Sequence, residues 1–183
     1  MALKATIFKT NVQIADLDRD YYARHQLTLA RHPSETDVRM MVRLLAFVHN
    51  ATASLTFTRG LSSVEDADLW QKSPSGDIDL WIEVGLPAAE RLRKASNRAG
   101  RVLVYSFGGR AALVWWRKLG SQLAHFDKLE VFHLSAHSTA QLADMVERTM
   151  NFSITIQDGH FCFAARDHSV ELSLEIWKQE QRS

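Results

Sequence analysis

The 183-residue chain has one cysteine, three prolines and eight glycines. A lone Cys162 excludes an internal disulfide framework and any cysteine-rich zinc or iron–sulfur centre. So little proline and glycine excludes a collagen-like or low-complexity chain and argues against long flexible linkers. No apolar run reaches the roughly 18–20 residues that a membrane-spanning helix needs, so no membrane partner is expected. The segment Met1-Ala2-Leu3-Lys4-Ala5-Thr6 lacks the apolar core of a secretion signal, and a cytoplasmic setting is expected. Gly-x-Gly-x-x-Gly, the Walker A pattern and Gly-x-Ser-x-Gly are all missing, so dinucleotide-binding, P-loop and serine-hydrolase signatures are absent. The eight histidines are scattered. His133 and His137 straddle a strand end, and His160 with Cys162 has no second pair of ligands to complete a zinc site.

Net charge is also lacking. Twenty-two Lys and Arg stand against 21 Asp and Glu, for a formal +1, so nothing global pulls the chain towards nucleic acid. The charge is instead segregated. Residues 60–89 hold six acids and one base, Lys72, whereas residues 90–119 hold eight bases and one acid, Glu90. An acidic stretch before a basic one suits a metal site beside a phosphate-binding surface. It equally suits two faces that pair with each other.

What is present is the mixture of an ordinary globular protein, 46% hydrophobic and 23% charged, of a length that fits one domain over residues 1–183. Residues 2–15 alternate, with Leu3, Ala5 and Ile7 on one face. Residues 21–31 are also strand-like, and the acidic cluster 16–20 between them suits the turn of a long hairpin. Pro33-Ser34 with Asp37 reads as a capping box, opening a helix that runs to about Asn50. Residues 55–58 form a short strand. The polar stretch 61–76 is read as turns, with one helical turn over 66–71. A strand at 78–84 has apolar residues on both faces. A helix from Pro87 to Gly100 follows, then an interior strand at 102–107, a helix at 111–119 and a strand at 129–134. Ser138 is read as the cap of a helix reaching about Met150. Strands at 152–157, 160–164 and 169–176 follow, the first two joined by the hairpin signal Asp158-Gly159. Strands alternating with helices over 78–134 call for βαβ units and a partly parallel sheet. The expected class is α/β, a mixed sheet core flanked by helices with antiparallel strands added at both termini.

Several side chains in this frame carry chemistry. Asp77, Asp79 and Glu83 fall on one face of the 78–84 strand by its period of two. A carboxylate on an apolar strand is costly to bury alone, and such clusters hold Mg²⁺, which activates water and neutralises phosphate charge. On the next helix Arg91, Lys94 and Arg98 form one basic stripe. A lysine there is placed to stabilise developing negative charge; the stripe equally suits ion pairs at the surface. Glu35 reads as an acid in the first turn of the long helix, where it favours the helix dipole. Trp115 and Trp116 read as core plus one partly exposed ring, with base stacking as the functional alternative. Cys162, between Phe161 and Phe163, reads as a small buried filler.

The stretches Ala2–Ile7, Leu27–Thr36, Phe57–Leu61, Leu80–Pro87 and Ile156–Gly159 resemble the YaeQ family of bacterial proteins over nearly the whole chain. That family is similar in fold to the PD-(D/E)XK nucleases, and the resemblance implies a restriction-endonuclease-like core. Carried over residue by residue, Asp79 matches the motif's first acid, in the context Gly76-Asp77-Ile78-Asp79, and Glu83 the acid of the (D/E)XK half. Gly85 stands where the motif has lysine. Some members carry that lysine on the following helix, which makes Lys94 the candidate. Glu35 matches an extra acid carried by some members. The motif usually places its two acids on adjacent strands, whereas Asp79 and Glu83 are four residues apart, roughly 13 Å in a regular strand. Either the strand bends or the first acid is one of Glu65, Asp66 and Asp68.

Three readings follow. In the first the protein is a Mg²⁺-dependent nuclease, with Asp79 and Glu83 as metal ligands, Glu35 adding a ligand or holding a water, Lys94 assisting the attacking water, and Arg91 and Arg98 binding phosphates. In the second the same cleft is catalytically degenerate and binds nucleic acid or a protein, as in transcription or RNA metabolism. In the third the charges form a structural ion network.

Overall fold

The structure, a computed structural model, describes residues 4–181. The expected alternation at Leu3 lies outside the described residues. In chain order the elements are β1 (Thr6–Asp16), β2 (Tyr21–Arg31), α1 (Asp37–Asn50), β3 (Leu55–Phe57), a 3-10 turn (Gly60–Ser62), β4 (Leu69–Lys72), β5 (Ile78–Val84), α2 (Ala89–Arg98), β6 (Ala99–Ser106), α3 (Arg110–Leu123), β7 (Leu129–His133), α4 (Ala136–Ala143), β8 (Thr149–Gln157), β9 (His160–Ala164), β10 (Ser169–Ser173) and β11 (Glu175–Lys178). They form two mixed sheets with helices, in two compact units.

The first unit comprises the chain up to Leu44 and His137–Leu174. Its five-stranded sheet has the order β10-β9-β8-β1-β2, antiparallel except for the parallel pair β1–β8. The expected hairpin is present, with Thr6 opposite Arg31 and Asp16 opposite Tyr21. Asp16 closes its turn by accepting the N–H groups of Asp18 and Arg19, each at 3.1 Å. Asp158 (φ 51°) and Gly159 (φ 73°) form the tight turn between β8 and β9. Both positive φ values are what a primed two-residue turn requires. Strict alternation buries one face of this sheet, including Phe8, Val12, Phe152, Ile154, Phe161 and Phe163, and exposes the other. Cys162 therefore sits half-buried on the outward side, a correction to its reading as buried filler.

The second unit comprises Leu45–Ala136 and the C-terminal segment from Glu175. Its sheet has the order β11-β7-β6-β5-β4-β3, with β5, β6 and β7 mutually parallel. Val102 to Tyr105 are fully buried, as expected of an interior strand. Trp81, Val104 and Val131 pack with Leu92 and Ala95 of α2 and with Trp115 of α3. Trp116 is the partly exposed neighbour of Trp115, and it lies against Trp177.

Four local expectations are corrected. α1 begins at Asp37, capped by the Thr36 hydroxyl, which accepts the Arg39 N–H at 3.1 Å; Ser34 instead bonds the His32 ring. The helical turn expected over 66–71 is replaced by strand β4, paired with β5 from Leu69 opposite Ile82. α4 spans Ala136–Ala143, so Ser138 lies inside it, and Thr149-Met150 already belong to β8. The expected strand 169–176 is split at Leu174, its two parts joining different sheets.

Candidate functional site

In sheets with parallel strands, sites form at the carboxyl ends of those strands. β5 brings Glu83 to that end, one position before its last residue. Period-two alternation puts Glu83 on the face of Trp81, beneath α2. Glu83 is buried, at 4% exposure. Its Oε1 accepts two bonds, from Trp81 Nε1 at 2.7 Å and from Arg91 Nε at 2.8 Å. The other arms of Arg91 donate to the backbone carbonyls of Val64 and Asp66, both at 2.7 Å. One guanidinium therefore joins β5, α2 and the segment before β4.

Asp68, also buried, immediately precedes β4, the antiparallel neighbour of β5. Its Oδ2 accepts the Val84 N–H at 2.8 Å, and its own N–H bonds the Ile82 carbonyl at 2.9 Å. It is thus fixed beside Glu83 by the backbone. Burial raises the Glu83 carboxyl above the ordinary range, and the charge of Asp68 raises it further, against the lowering bonds from Arg91 and Trp81.

The basic stripe of α2 faces the acidic stretch. Lys94 Nζ reaches Glu65 Oε2 at 2.5 Å, and Arg98 donates to the Glu65 carbonyl at 3.2 Å while lying over the Trp81 ring. Lys94 holds the exposed Glu65 carboxyl below its usual range, chiefly through that hydrogen bond. The pair is solvent-exposed on both sides, so it is a weak tie.

The remaining expected members stand apart from this cluster. Asp77 precedes β5 and accepts from the Ser75 hydroxyl, and Asp79 is exposed near the start of the strand. A β-bulge marks the β4 side of β5 next to Asp79, but the register with β6 keeps the same offset on either side of Asp79, so the strand does not fold Asp79 back onto Glu83. The expected Asp79–Glu83 metal pair is corrected on this point: the acid beside Glu83 is Asp68. Glu35 lies before α1, not in its first turn. It belongs to the first unit, where it is buried against Arg43, with Oε1 accepting Nε at 2.7 Å and Oε2 accepting a terminal nitrogen at 2.8 Å. Arg39 adds a further bond to Oε1 at 3.0 Å. Such a carboxylate is already neutralised.

A magnesium ion at Glu83 and Asp68 would have to displace the donors that their oxygens now accept. Mg²⁺ demands near-octahedral oxygen at short range. Glu83 Oε1 is taken by two N–H donors and Asp68 Oδ2 by a third, and among the described residues no three His, Cys, Asp or Glu side chains are grouped to hold a metal. Gly85 has φ of +112°, a conformation that a lysine adopts only under strain, although a Cβ there would meet no heavy atom within 4 Å.

The sequence reading missed a second polar group at the same strand ends. Ser106 closes β6 and His133 closes β7, directly opposite each other. The Ser106 hydroxyl donates to the Phe132 carbonyl at 3.0 Å and lies 2.9 Å from His133 Nδ1. With that proton committed and Ser106 wholly buried, the pair tethers two strands and offers no accessible nucleophile. The available signal was a serine ending an apolar run just before Gly108-Gly109.

Comparison with known proteins identifies the family. A sequence model described as YaeQ protein matches residues 1–174. This chain belongs to the YaeQ family. It is 45% identical to YaeQ of Salmonella typhi over 179 residues, covering 98% of this chain and 99% of that protein. It is 42% identical to YaeQ of Escherichia coli K12 over the same length and coverage. The crystal structure of YaeQ from Xanthomonas axonopodis pv. citri is similar with a TM-score of 0.92 at 44% identity, covering 95% of this chain and 98% of that one. YaeQ from Pseudomonas syringae is similar with a TM-score of 0.92 at 32% identity, covering 96% and 97%. The two-sheet α/β architecture is therefore that of solved YaeQ structures.

Proposed function

We propose that this member of the YaeQ family is a non-catalytic nucleic-acid-binding module on a PD-(D/E)XK-like frame. One observation carries the non-catalytic part of the reading: the Arg91 guanidinium sits on Glu83 and anchors the carbonyls of Val64 and Asp66. A guanidinium held on Glu83 supports reading these acids as structural groups rather than metal ligands. The frame is supported by Asp68, just before β4, which is held beside Glu83 of the adjacent antiparallel strand, much as the motif's two acids come from neighbouring strands. Gly85 at the lysine position supports loss of catalysis. No helix among the described residues is long and apolar enough to cross a membrane.

The adjacency of Asp68 and Glu83 also favours a second reading, a metal-dependent nuclease whose Arg91 swings away when Mg²⁺ and substrate arrive. Calorimetric titration with Mg²⁺ and Mn²⁺ separates the two, run on the wild type and on Glu83→Gln. Parallel incubation with single-stranded, duplex and branched nucleic acids reads cleavage. The expected result is no saturable metal binding at millimolar concentration, no cleavage, and oligonucleotide binding that persists in a chelator. Saturable binding that Glu83→Gln abolishes, accompanied by cleavage, overturns the module and establishes the nuclease.

A further inference from the structure

A ligand phosphate at α2 would have to compete with the contacts that Arg91, Lys94 and Arg98 already make with the 64–66 segment. We propose, resting on the module reading, that the outward face of the five-stranded sheet is a binding platform for single-stranded nucleic acid. Arg24 and Arg166 would take phosphates, Tyr22 would stack a base, and the amides between them would meet base edges.

The face is a trough of about 640 Å³ crossing β2, β1, β8 and the end of β9, within the range of ligand sites. At roughly 4.8 Å per strand its floor runs about 14 Å. The cross-strand register sets Arg24 opposite Gln13, Gln13 beside Ser153, Gln26 opposite Asn11, and Asn11 beside Asn151. Four amides therefore fill two neighbouring rows. Asparagine is depleted in strands, yet two stand opposite each other in mid-strand, joined at 2.9 Å. A local preference broken at the centre of an otherwise well-patterned sheet points to a use. Each amide offers both donors and acceptors, which suits the exposed edges of unpaired bases.

Charge selects the ligand. Arg24 flanks the trough on β2 and Arg166 at the far end, after β9. Both are exposed, and neither has an acidic partner among the described residues. No acid lines the trough itself; Asp144, Glu147 and Asp167 line the adjoining hollow that shares Asn151, Ala165 and Arg166, and Glu171 lies on β10, opposite Cys162. An anionic ligand is favoured over a neutral sugar or an acid-bearing peptide. Two residues along β2 from Arg24, on the same face, Tyr22 is 61% exposed. Its cross-strand partner is the small Ala15, which leaves one side of the ring uncovered by a bulky neighbour. A duplex hides the base edges that these groups would meet, so the platform favours single strands.

The test is fluorescence anisotropy of the full chain with a labelled 12-mer of single-stranded RNA, the matching DNA and a 12-base-pair duplex, over a salt series. The variants are Tyr22→Thr, the double variant Arg24→Gln/Arg166→Gln, and Lys94→Gln/Arg98→Gln on α2. All lie on exposed positions, and unchanged melting temperatures confirm folding. Tyr22→Thr is expected to weaken single-strand binding at least fivefold. The arginine double variant is expected to weaken it and to flatten the slope of log affinity against log salt by about 1.4, two phosphates at 0.7 each. The α2 variant should change little. If the wild type binds but only the α2 variant weakens it, the module reading stands and the platform falls. Equal binding of duplex and single strand also overturns the platform. If the wild type binds none of the three, both fail.

Discussion

Replacing Arg91 by methionine tests whether an internal cation holds the acid pocket together. Methionine keeps most of the apolar stem and removes the guanidinium. Glu83, at 5% side-chain exposure, would then stay buried with Trp81 Nε1 as its remaining donor. Breaking a buried ion pair from one side costs about 3–5 kcal/mol. Arg91 is 28% exposed, so water reaching the gap reduces that. A ceiling comes from chemistry: a carboxylate that cannot be solvated takes up a proton, and binding one at pH 7 from an ordinary value of about 4.3 costs about 3.7 kcal/mol. We therefore expect a loss at pH 7 of about 3 kcal/mol from the stranded carboxylate, to which the two lost carbonyl bonds add about 1 kcal/mol each, about 5 kcal/mol in all or roughly 10–20 °C in melting temperature for a chain of this size. Burial already raises the Glu83 carboxyl, and losing Arg91 raises it further. The native state then holds a proton that the unfolded chain has released, so stability falls as pH rises through that window. The deficit of the variant must accordingly shrink as pH falls towards the ordinary carboxylate range. Adding Glu83→Gln removes the stranded charge, and the double variant should recover about 2 kcal/mol relative to Arg91→Met. The two bonds to the Val64 and Asp66 carbonyls, about 1 kcal/mol each, are lost in both variants and cancel in this comparison. The assay is urea unfolding at pH 5, 6 and 7. A pH-independent loss, or no recovery in the double variant, refutes the reasoning.

Two further outcomes follow from the same physics. Glu35→Gln withdraws the carboxylate from Arg43, whose side chain is 4% exposed, and should cost about 3 kcal/mol; a urea midpoint unchanged from wild type would return Glu35 to the list of functional acids. Gly85→Lys, which restores the motif's lysine, should cost about 1–3 kcal/mol because φ is +112° there, and Gly85→Ala should cost the same because the surrounding space is open. Equal stability of Gly85→Lys and wild type would refute the backbone argument.

Where local pattern decides structure, the sequence was a sufficient guide. The alternation of β1 and β2, the Asp158-Gly159 turn and the apolar run of β6 each carry their own signal. The misreadings arise where distant partners decide. The acids before Leu69 resemble a helix start, but Asp68 spends its carboxylate on the Val84 N–H, sixteen residues on, and the segment becomes strand β4. The helix expected to reach about Met150 stops at Ala143, and the alternating burial that begins at Thr149 belongs instead to β8, held by its register with β1 from Lys9 opposite Thr149. Nothing local marks Leu174 as the point where the chain changes sheets.

The candidate site was legible in kind and not in partner. Helical spacing correctly placed Arg91, Lys94 and Arg98 along one stripe, but periodicity states which side chains share a face and is silent on what that face meets. Here three of the four hydrogen-bonded tethers from Arg91 and Arg98 end on backbone carbonyls, at Val64, Glu65 and Asp66. Every residue carries that acceptor, so no residue type announces it. The same silence explains the displaced acid. Motif matching took Asp79 from its context Gly76-Asp77-Ile78-Asp79, whereas the pairing of β4 with β5 sets Asp68 beside Glu83. A segregated charge pattern therefore fixes which groups are available to a site. Only the pairing of strands decides whether they meet a metal, a ligand or one another, and for Glu83 that choice is Arg91.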